Sequence, residues 1–158
     1  ALSGPGLVRL HDALARVRGT RPTHSTPDAI TAAAQAGDDP LARDTLELFC
    51  GLLGSAVGDM ALLYGAHGGV ALAGGILPQI RDFLLHSSFV QRFLDKGPMR
   101  GALLRIPVTL VEHGQLGVLG AAGWYLDQDQ NDNEWTDSRL PRHPSARSQS
   151  ITSRGVPP

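Results

Sequence analysis

The sequence predicts an α/β fold that is rich in helices and contains two parallel strands. Two short, continuously apolar runs, 70–73 and 106–111, are typical of strands that are buried on both faces. The segments before, between and after them carry helical periodicity or helix-start signals. A strand, a helical crossover, a second strand and a closing helix form a βαβα unit, in which the two strands are expected to be parallel.

The first helix follows the glycine-rich stretch Ser3-Gly4-Pro5-Gly6 and is predicted over 7–17. Ser3 can cap that helix or hydrogen-bond a ligand, and capping is favoured when the motif is considered alone. Thr26 is the expected cap of a second helix, because a proline and an aspartate follow it in the first turn. That helix is expected to end at Gly37, since glycine readily adopts the left-handed backbone conformation that terminates helices.

The longest helix is predicted to begin at Asp39-Pro40. Its apolar residues recur every three or four positions and are expected on one face: Ala42, Leu46, Phe49, Leu53, Val57, Met60 and Tyr64. Gly51, Gly54 and Gly58 also fall at helical spacing, and each costs roughly 1 kcal/mol relative to alanine. We favour close approach of a neighbouring element as the reason for these glycines. Cys50 lies within the same apolar stretch and is expected to be a buried core thiol.

The most informative element is the apolar run 70–73 with Gly74-Gly75 directly after it. Paired glycines at the carboxyl end of a strand allow a ligand to approach the backbone closely. Pro78 is expected to open a helix over 78–86, whose N-terminus would offer free N–H groups to anions or polar ligand atoms. The spacing matches neither a dinucleotide-binding fingerprint nor a P-loop. Considered alone, the pattern therefore favours a tight turn over a nucleotide site and leaves both open.

The second half of the chain contains further helices, a second strand and a polar tail. Helices are predicted over 89–94, 99–104 and 116–126, with a strand over 106–111. From Asp127 onward the composition becomes polar, and such a stretch cannot bury enough apolar surface to offset its ordering entropy. We therefore predict a domain over 1–126 and a disordered tail over 127–158. Because two strands do not make a stable sheet, the chain is expected to be part of a larger protein.

Composition and motifs disfavour several classes of function. The net charge of −1 leaves no basic footprint for nucleic acid. No secretory signal is apparent, and no apolar stretch approaches the ~20 residues of a membrane span. We therefore expect neither nucleic acid nor membrane as a partner, and a cytoplasmic location. The histidines do not have the spacing of metal ligands, and no known hydrolase motif occurs. We interpret Glu112-His113, after the second strand, as part of a solvated loop.

Two stretches in this order, Leu2-Ser3-Gly4-Pro5-Gly6-Leu7 and the strand followed by 74–78, resemble bacterial glucokinases of the hexokinase/actin-like ATPase superfamily. Further stretches that agree are 46–50, 93–97, 106–108 and 117–121, so the similarity runs from residue 1 to about 126. The resemblance implies a partial C-terminal lobe of an actin-like ATPase (ribonuclease H-like) fold. It also implies ATP-dependent phosphorylation of glucose to glucose 6-phosphate in glycolysis, with Mg²⁺ offsetting phosphate charge.

The resemblance also implies which residues bind ATP. Gly74, Gly75 and Ile76 would lie near the adenine and ribose, and the turn at Ser3 and Gly4 would lie close to the cleft. The family's Asp-Gly-Gly-Thr phosphate loop, catalytic Asn-Asp pair and Glu-x-x-His sugar-binding set have no counterpart in the matching stretches. We therefore assign no catalytic residue or metal ligand and expect the isolated chain to be inactive.

Glucose is expected to bind only to the intact enzyme, and the sequence leaves a homodimer possible. One alternative is a non-catalytic nucleotide-binding or oligomerisation module from a truncated sugar-kinase gene. A more remote alternative is a sugar-sensing repressor, which would require a helix-turn-helix motif upstream. An in-frame phosphate loop upstream of Ala1 would favour the enzyme.

Overall fold

The computed structural model describes residues 2–112, 116–131 and 148–150, and it confirms the helix-rich α/β class with two parallel strands. In chain order the elements are α1 (Gly4–Val17), α2 (Pro27–Ala36), α3 (Pro40–Leu63), β1 (Val70–Leu72), α4 (Arg81–His86), α5 (Phe89–Leu94), a 3₁₀ turn (Gly97–Met99), α6 (Arg100–Leu103), β2 (Val108–Val111), α7 (Leu116–Asn131) and β3 (Ser148–Ser150).

The described sheet has the order β1-β2-β3. β1 and β2 are parallel as predicted, with Val70 opposite Val108. β3 pairs antiparallel to β2, and α7 continues past residue 126 to Asn131. Both elements reach into the segment 127–158, for which a disordered tail is predicted. A strand ladder there is compatible with the polar composition, because the ladder is held by backbone hydrogen bonds rather than by apolar side chains. The rest of that tail lies outside the described residues.

The three predicted helix caps are confirmed. In each, a side-chain oxygen accepts a hydrogen bond from a backbone N–H of the first turn: Ser3 Oγ from Gly6 at 3.2 Å, Thr26 Oγ1 from Ala29 at 3.3 Å and Asp39 Oδ1 from Leu41 at 2.8 Å. Gly37 ends α2 with φ of 79°, as predicted. α1 itself begins at Gly4 rather than at residue 7.

The glycines of α3 lie where the backbone of α5 approaches closely, which confirms the predicted reason for them. A Cβ atom on Gly54 would lie 2.2 Å from the carbonyl oxygen of Phe89. A Cβ on Gly58 would lie 2.5 Å from the carbonyl oxygen of Phe93. Any side chain at either position would therefore push the two helices apart.

The buried face of α3 differs at its C-terminal end from the predicted one. Met60 is 59% exposed and Tyr64 is 77% exposed, whereas Ala61 is buried in their place. The prediction was wrong at these two residues, because Tyr64 follows the end of α3 at Leu63 and the last turns of the helix face the core with Val57, Gly58 and Ala61. Cys50 is a buried thiol as predicted, and burial raises its pKa to about 12.

α3 is also the one helix, among the described residues, that is long and apolar enough to cross a membrane. Its most apolar 18-residue window has a mean hydropathy of 1.6, so the expectation that no stretch approaches such a length needs correction. Half of that window is buried inside the protein, and its glycines contact α5, which is typical of the core helix of a compact domain.

The segment after β1 differs from the sequence prediction as well. α4 begins at Arg81 and not at Pro78. Residues 76–80 instead form a turn, in which the carbonyl oxygen of Ile76 accepts hydrogen bonds from the N–H groups of Gln79 (3.0 Å) and Ile80 (3.2 Å). β1 is not buried throughout either, because Ala71 is exposed. The paired glycines therefore lead into an irregular turn rather than directly into a helix.

Candidate functional site

The two glycine-rich segments that the sequence singled out lie side by side. A Cβ atom on Gly4 would lie 3.3 Å from Pro27 Cγ and 3.8 Å from Ile76 Cδ1. The start of α1, the start of α2 and the turn after β1 therefore meet at one point, although the chain places them far apart. Side-chain caps fix where α1 and α2 begin, and the end of β1 fixes where the turn begins.

A cavity of about 440 Å³ opens at this point, at the carboxyl end of β1. All five predicted site residues line it: Ser3, Gly4, Gly74, Gly75 and Ile76. The other lining residues are Leu2, Pro27, Asp28, Phe49, Leu53, Ala73, Leu77 and Gln79. The lining is thus mainly apolar with a few polar groups, as is usual for sites that bind small organic ligands.

The glycines leave room for a ligand beside the backbone. A Cβ atom on Gly75 would meet no atom within 4 Å, and the same holds for Gly74, whose φ of 151° is rarely adopted by other residues. Among the described residues, the N–H groups of Gly75 and Ile76 have no hydrogen-bond partner. They are free to bond to a polar atom of a ligand.

The start of α1 offers fewer donors than its position suggests. The N–H of Gly6 bonds to Ser3 Oγ, the N–H of Leu7 bonds to Ser3 O at 2.8 Å, and Pro5 has no N–H. Only the N–H of Gly4 is left in that first turn. The predicted helix N-terminus at Pro78 does not exist, so it contributes no N–H groups either. These backbone groups suit a neutral polar ligand better than a multiply charged anion.

Charge at the cavity comes from one carboxylate. Asp28 is the one ionisable side chain among the described residues that line it, and it is exposed. Glu112, after β2, instead pairs with Arg81 at 2.7 Å and is not part of the lining. His113, the other residue that the sequence placed in that loop, lies outside the described residues. The cavity therefore carries negative charge only.

A buried histidine lies away from the cavity, between α1 and α3. His11 is fully buried, and its Nδ1 lies 3.1 Å from Thr45 Oγ1. The Thr45 hydroxyl donates its proton to the carbonyl oxygen of Leu41 at 2.7 Å, so it must accept from His11. The neutral ring thus carries its proton on Nδ1, and Nε2 has no partner among the described residues. Across all the residues that the structure describes, no group of three or more His, Cys, Asp or Glu side chains could hold a metal ion.

A second cavity, of about 480 Å³, lies between α2, α3 and α4 and is lined largely by charged and polar side chains. Its carboxylates have structural partners. Asp44 pairs with Arg18 at 2.5 Å, and Glu47 accepts a hydrogen bond from the N–H of Ser88 at 2.8 Å. These contacts connect α1 to α3 and α3 to the start of α5, so the carboxylates of Asp44 and Glu47 have a structural role.

The sequence interpretation missed the contribution of α2 and α3 to the cavity. The sequence already explains Asp28 as an acidic residue in the first turn of a helix. It likewise explains Phe49 and Leu53 as core residues, although all three line the cavity. No signal in the sequence links them to Gly74-Gly75, because the contact depends on how α2 and α3 pack against the turn.

Fold and cavity together define an α/β module with a cavity at the carboxyl end of a parallel strand, lined by two glycine-rich segments. The family profile described as Glucokinase matches residues 1–128, and the chain belongs to the glucokinase family. A glucokinase-like protein of Xylella fastidiosa (strain Temecula1 / ATCC 700964) is 59% identical over 128 residues, which are 81% of this chain and 38% of that protein.

A glucokinase of Saccharophagus degradans is 51% identical over 127 residues, 80% of this chain and 39% of that protein. The crystal structure of a glucokinase from an Antarctic psychrotroph superposes with a TM-score of 0.70 at 42% identity, covering 79% of this chain and 39% of that one. The chain therefore spans about two fifths of the length of these relatives, and the matched region is their C-terminal part.

Proposed function

We propose that this chain forms the nucleoside side of the ATP site of a glucokinase, an enzyme that transfers a phosphoryl group from ATP to glucose. The observation that carries the proposal is the convergence of Ser3-Gly4 and 74–76 on one cavity in a chain of the glucokinase family. A cavity of about 440 Å³ at the end of a parallel strand has the size and position of a small-ligand site.

The residues present fit a nucleoside better than a triphosphate. The lining is mainly apolar, the open space beside Gly75 admits a flat ring, and the N–H groups of Gly75 and Ile76 can donate to it. No lysine or arginine lines the cavity among the described residues. In this proposal the phosphates, Mg²⁺ and glucose are held by the part of the intact enzyme that this chain does not span, and the enzyme is cytoplasmic.

Nucleotide binding to the 158-residue chain tests the proposal. A titration with ATP or adenosine, followed by ¹H–¹⁵N NMR, is expected to shift the amide signals of Gly74, Gly75 and Ile76. Gly75→Val fills the open space with an isopropyl group and is expected to weaken binding without disturbing the fold, because nothing lies within 4 Å of the new Cβ. Gly68→Val is the matched control, since Gly68 is equally open and lies outside the cavity.

Two results would contradict the proposal. One is the absence of nucleotide-induced shifts at millimolar concentration, and the other is equal weakening by the two glycine substitutions. The chain by itself is also expected to show no glucose-dependent ATP consumption in a coupled assay. Robust turnover would mean that this chain contains the catalytic residues.

The chain matches only 38% of the X. fastidiosa relative, and this favours one other candidate function, a non-catalytic nucleotide-binding module. That candidate predicts the same binding but no gain of activity when the missing part is supplied. Co-expression with residues of a glucokinase relative that precede the matched region separates the two. Restored glucose phosphorylation supports the enzyme, and binding without activity supports the module.

A further inference from the structure

The cavity has a polarity that the glucokinase assignment does not by itself explain. Its one ionisable lining group is the carboxylate of Asp28, in the first turn of α2. None of the described residues gives this carboxylate a hydrogen bond or an ion pair. It is exposed and follows Pro27, whose ring lies near Gly4, and Ile76 also lies near Gly4.

The geometry points to Asp28 as the residue that selects and orients the nucleoside, by accepting a hydrogen bond from a neutral donor of the ligand. This inference rests on the proposed function, because it takes the cavity as the nucleoside site. A carboxylate accepts hydrogen bonds and donates none at neutral pH. The donors that a purine nucleoside offers are the ribose hydroxyls and the exocyclic amine.

Charge decides which way the nucleotide lies. A triphosphate beside Asp28 would place like charges together with no lysine or arginine among the described lining residues to offset them, which is unfavourable. The phosphates must therefore leave the cavity on the side away from Asp28. Ser3 can help to orient the ligand, since its Oγ accepts from Gly6 and its hydroxyl proton is available.

Specificity follows from the same contact. A site that hydrogen-bonds a ligand donor discriminates against analogues that lack the donor. Because Asp28 is exposed, water can solvate its carboxylate when the donor is missing, so the discrimination is modest. A charged acceptor of this kind is expected to contribute roughly tenfold in affinity at an exposed position. Asp28→Ala should therefore weaken adenosine binding by roughly tenfold, and Asp28→Asn should weaken it less because an amide oxygen is retained.

The test compares adenosine, 2′-deoxyadenosine, 3′-deoxyadenosine and inosine on the 158-residue chain and on Asp28→Ala, with dissociation constants measured by NMR titration. Asp38→Ala is the control, since Asp38 is an exposed carboxylate near α2 that does not line the cavity. If Asp28 accepts from a ribose hydroxyl, the deoxyadenosine that lacks this hydroxyl binds more weakly than adenosine to the wild type and as well as adenosine to Asp28→Ala. If it accepts from the amine, inosine shows that behaviour.

Three outcomes would overturn the inference. If each of the three analogues carries the same penalty on the wild type and on Asp28→Ala, Asp28 contacts none of these donors, although nucleoside binding and the proposed function still stand. If Asp28→Ala strengthens ATP binding while leaving adenosine unchanged, the phosphates lie beside Asp28 and the orientation is reversed. If the wild type binds no nucleoside at all, the proposed function fails, and the inference fails with it.

Discussion

Replacing Gly54 with alanine perturbs the contact between α3 and α5 by a single methyl group. The new Cβ would lie 2.2 Å from the carbonyl oxygen of Phe89 and 2.9 Å from its carbonyl carbon. These are backbone atoms that cannot rotate away, so α5 would have to move by about 1 Å to restore van der Waals distances. Alanine gains roughly 1 kcal/mol in helix propensity, whereas overpacking costs about 1–3 kcal/mol and more when backbone must shift.

We therefore expect Gly54→Ala to lower the free energy of unfolding by about 1–2 kcal/mol, measured by urea denaturation followed by circular dichroism. Gly101→Ala is the control, because Gly101 is helical and its Cβ would meet nothing within 4 Å, so only the propensity gain remains. Gly51→Ala should fall between them, since the atom it meets first is the movable Ser88 Oγ at 3.0 Å. A Gly54→Ala variant as stable as the Gly101→Ala variant would refute the close contact between α3 and α5.

The remaining predictions concern pH, a helix cap and the nucleotide site. Burial lowers the pKa of His11, so the unfolded chain binds a proton there that the folded chain does not, and the free energy of unfolding should fall as pH drops below about 6.5. His11→Gln should remove this fall in the free energy of unfolding. If the fall is unchanged in the variant, its assignment to His11 is contradicted. Asp39→Ala should lower the free energy of unfolding by about 1–2 kcal/mol in urea denaturation, because Asp39 caps α3 and accepts a hydrogen bond from Thr23 at 2.5 Å. Asp39→Asn should lower it less, since asparagine can still cap the helix. Equal losses in the two variants would show that the cap is unimportant. In the intact enzyme Gly75→Val should raise the KM for ATP more than the KM for glucose, and equal rises would contradict the nucleoside assignment.

Most of the helical architecture could be predicted because its determinants are local. Ser3, Thr26 and Asp39 each bond to N–H groups two or three residues along the chain, so a short window of sequence contains both partners. The parallel pairing of β1 and β2 also followed, since a helical crossover between two apolar runs allows little else. Two predictions from local patterns were wrong. Pro78 lies in a turn rather than at the start of a helix, and Met60 is exposed rather than buried.

The sequence by itself determined the family, the caps, the two strands and the position of the paired glycines after the first strand. Only the tertiary structure decided that Ser3-Gly4 and Gly74-Gly75 share a cavity, and that Asp28 supplies its charge. The physical reason is that a cap or a turn is satisfied by neighbours within a few residues, whereas a cavity is the space left between elements. Its position depends on how closely α3 packs on α5 and on where α2 meets the turn after β1, and no local pattern encodes either distance.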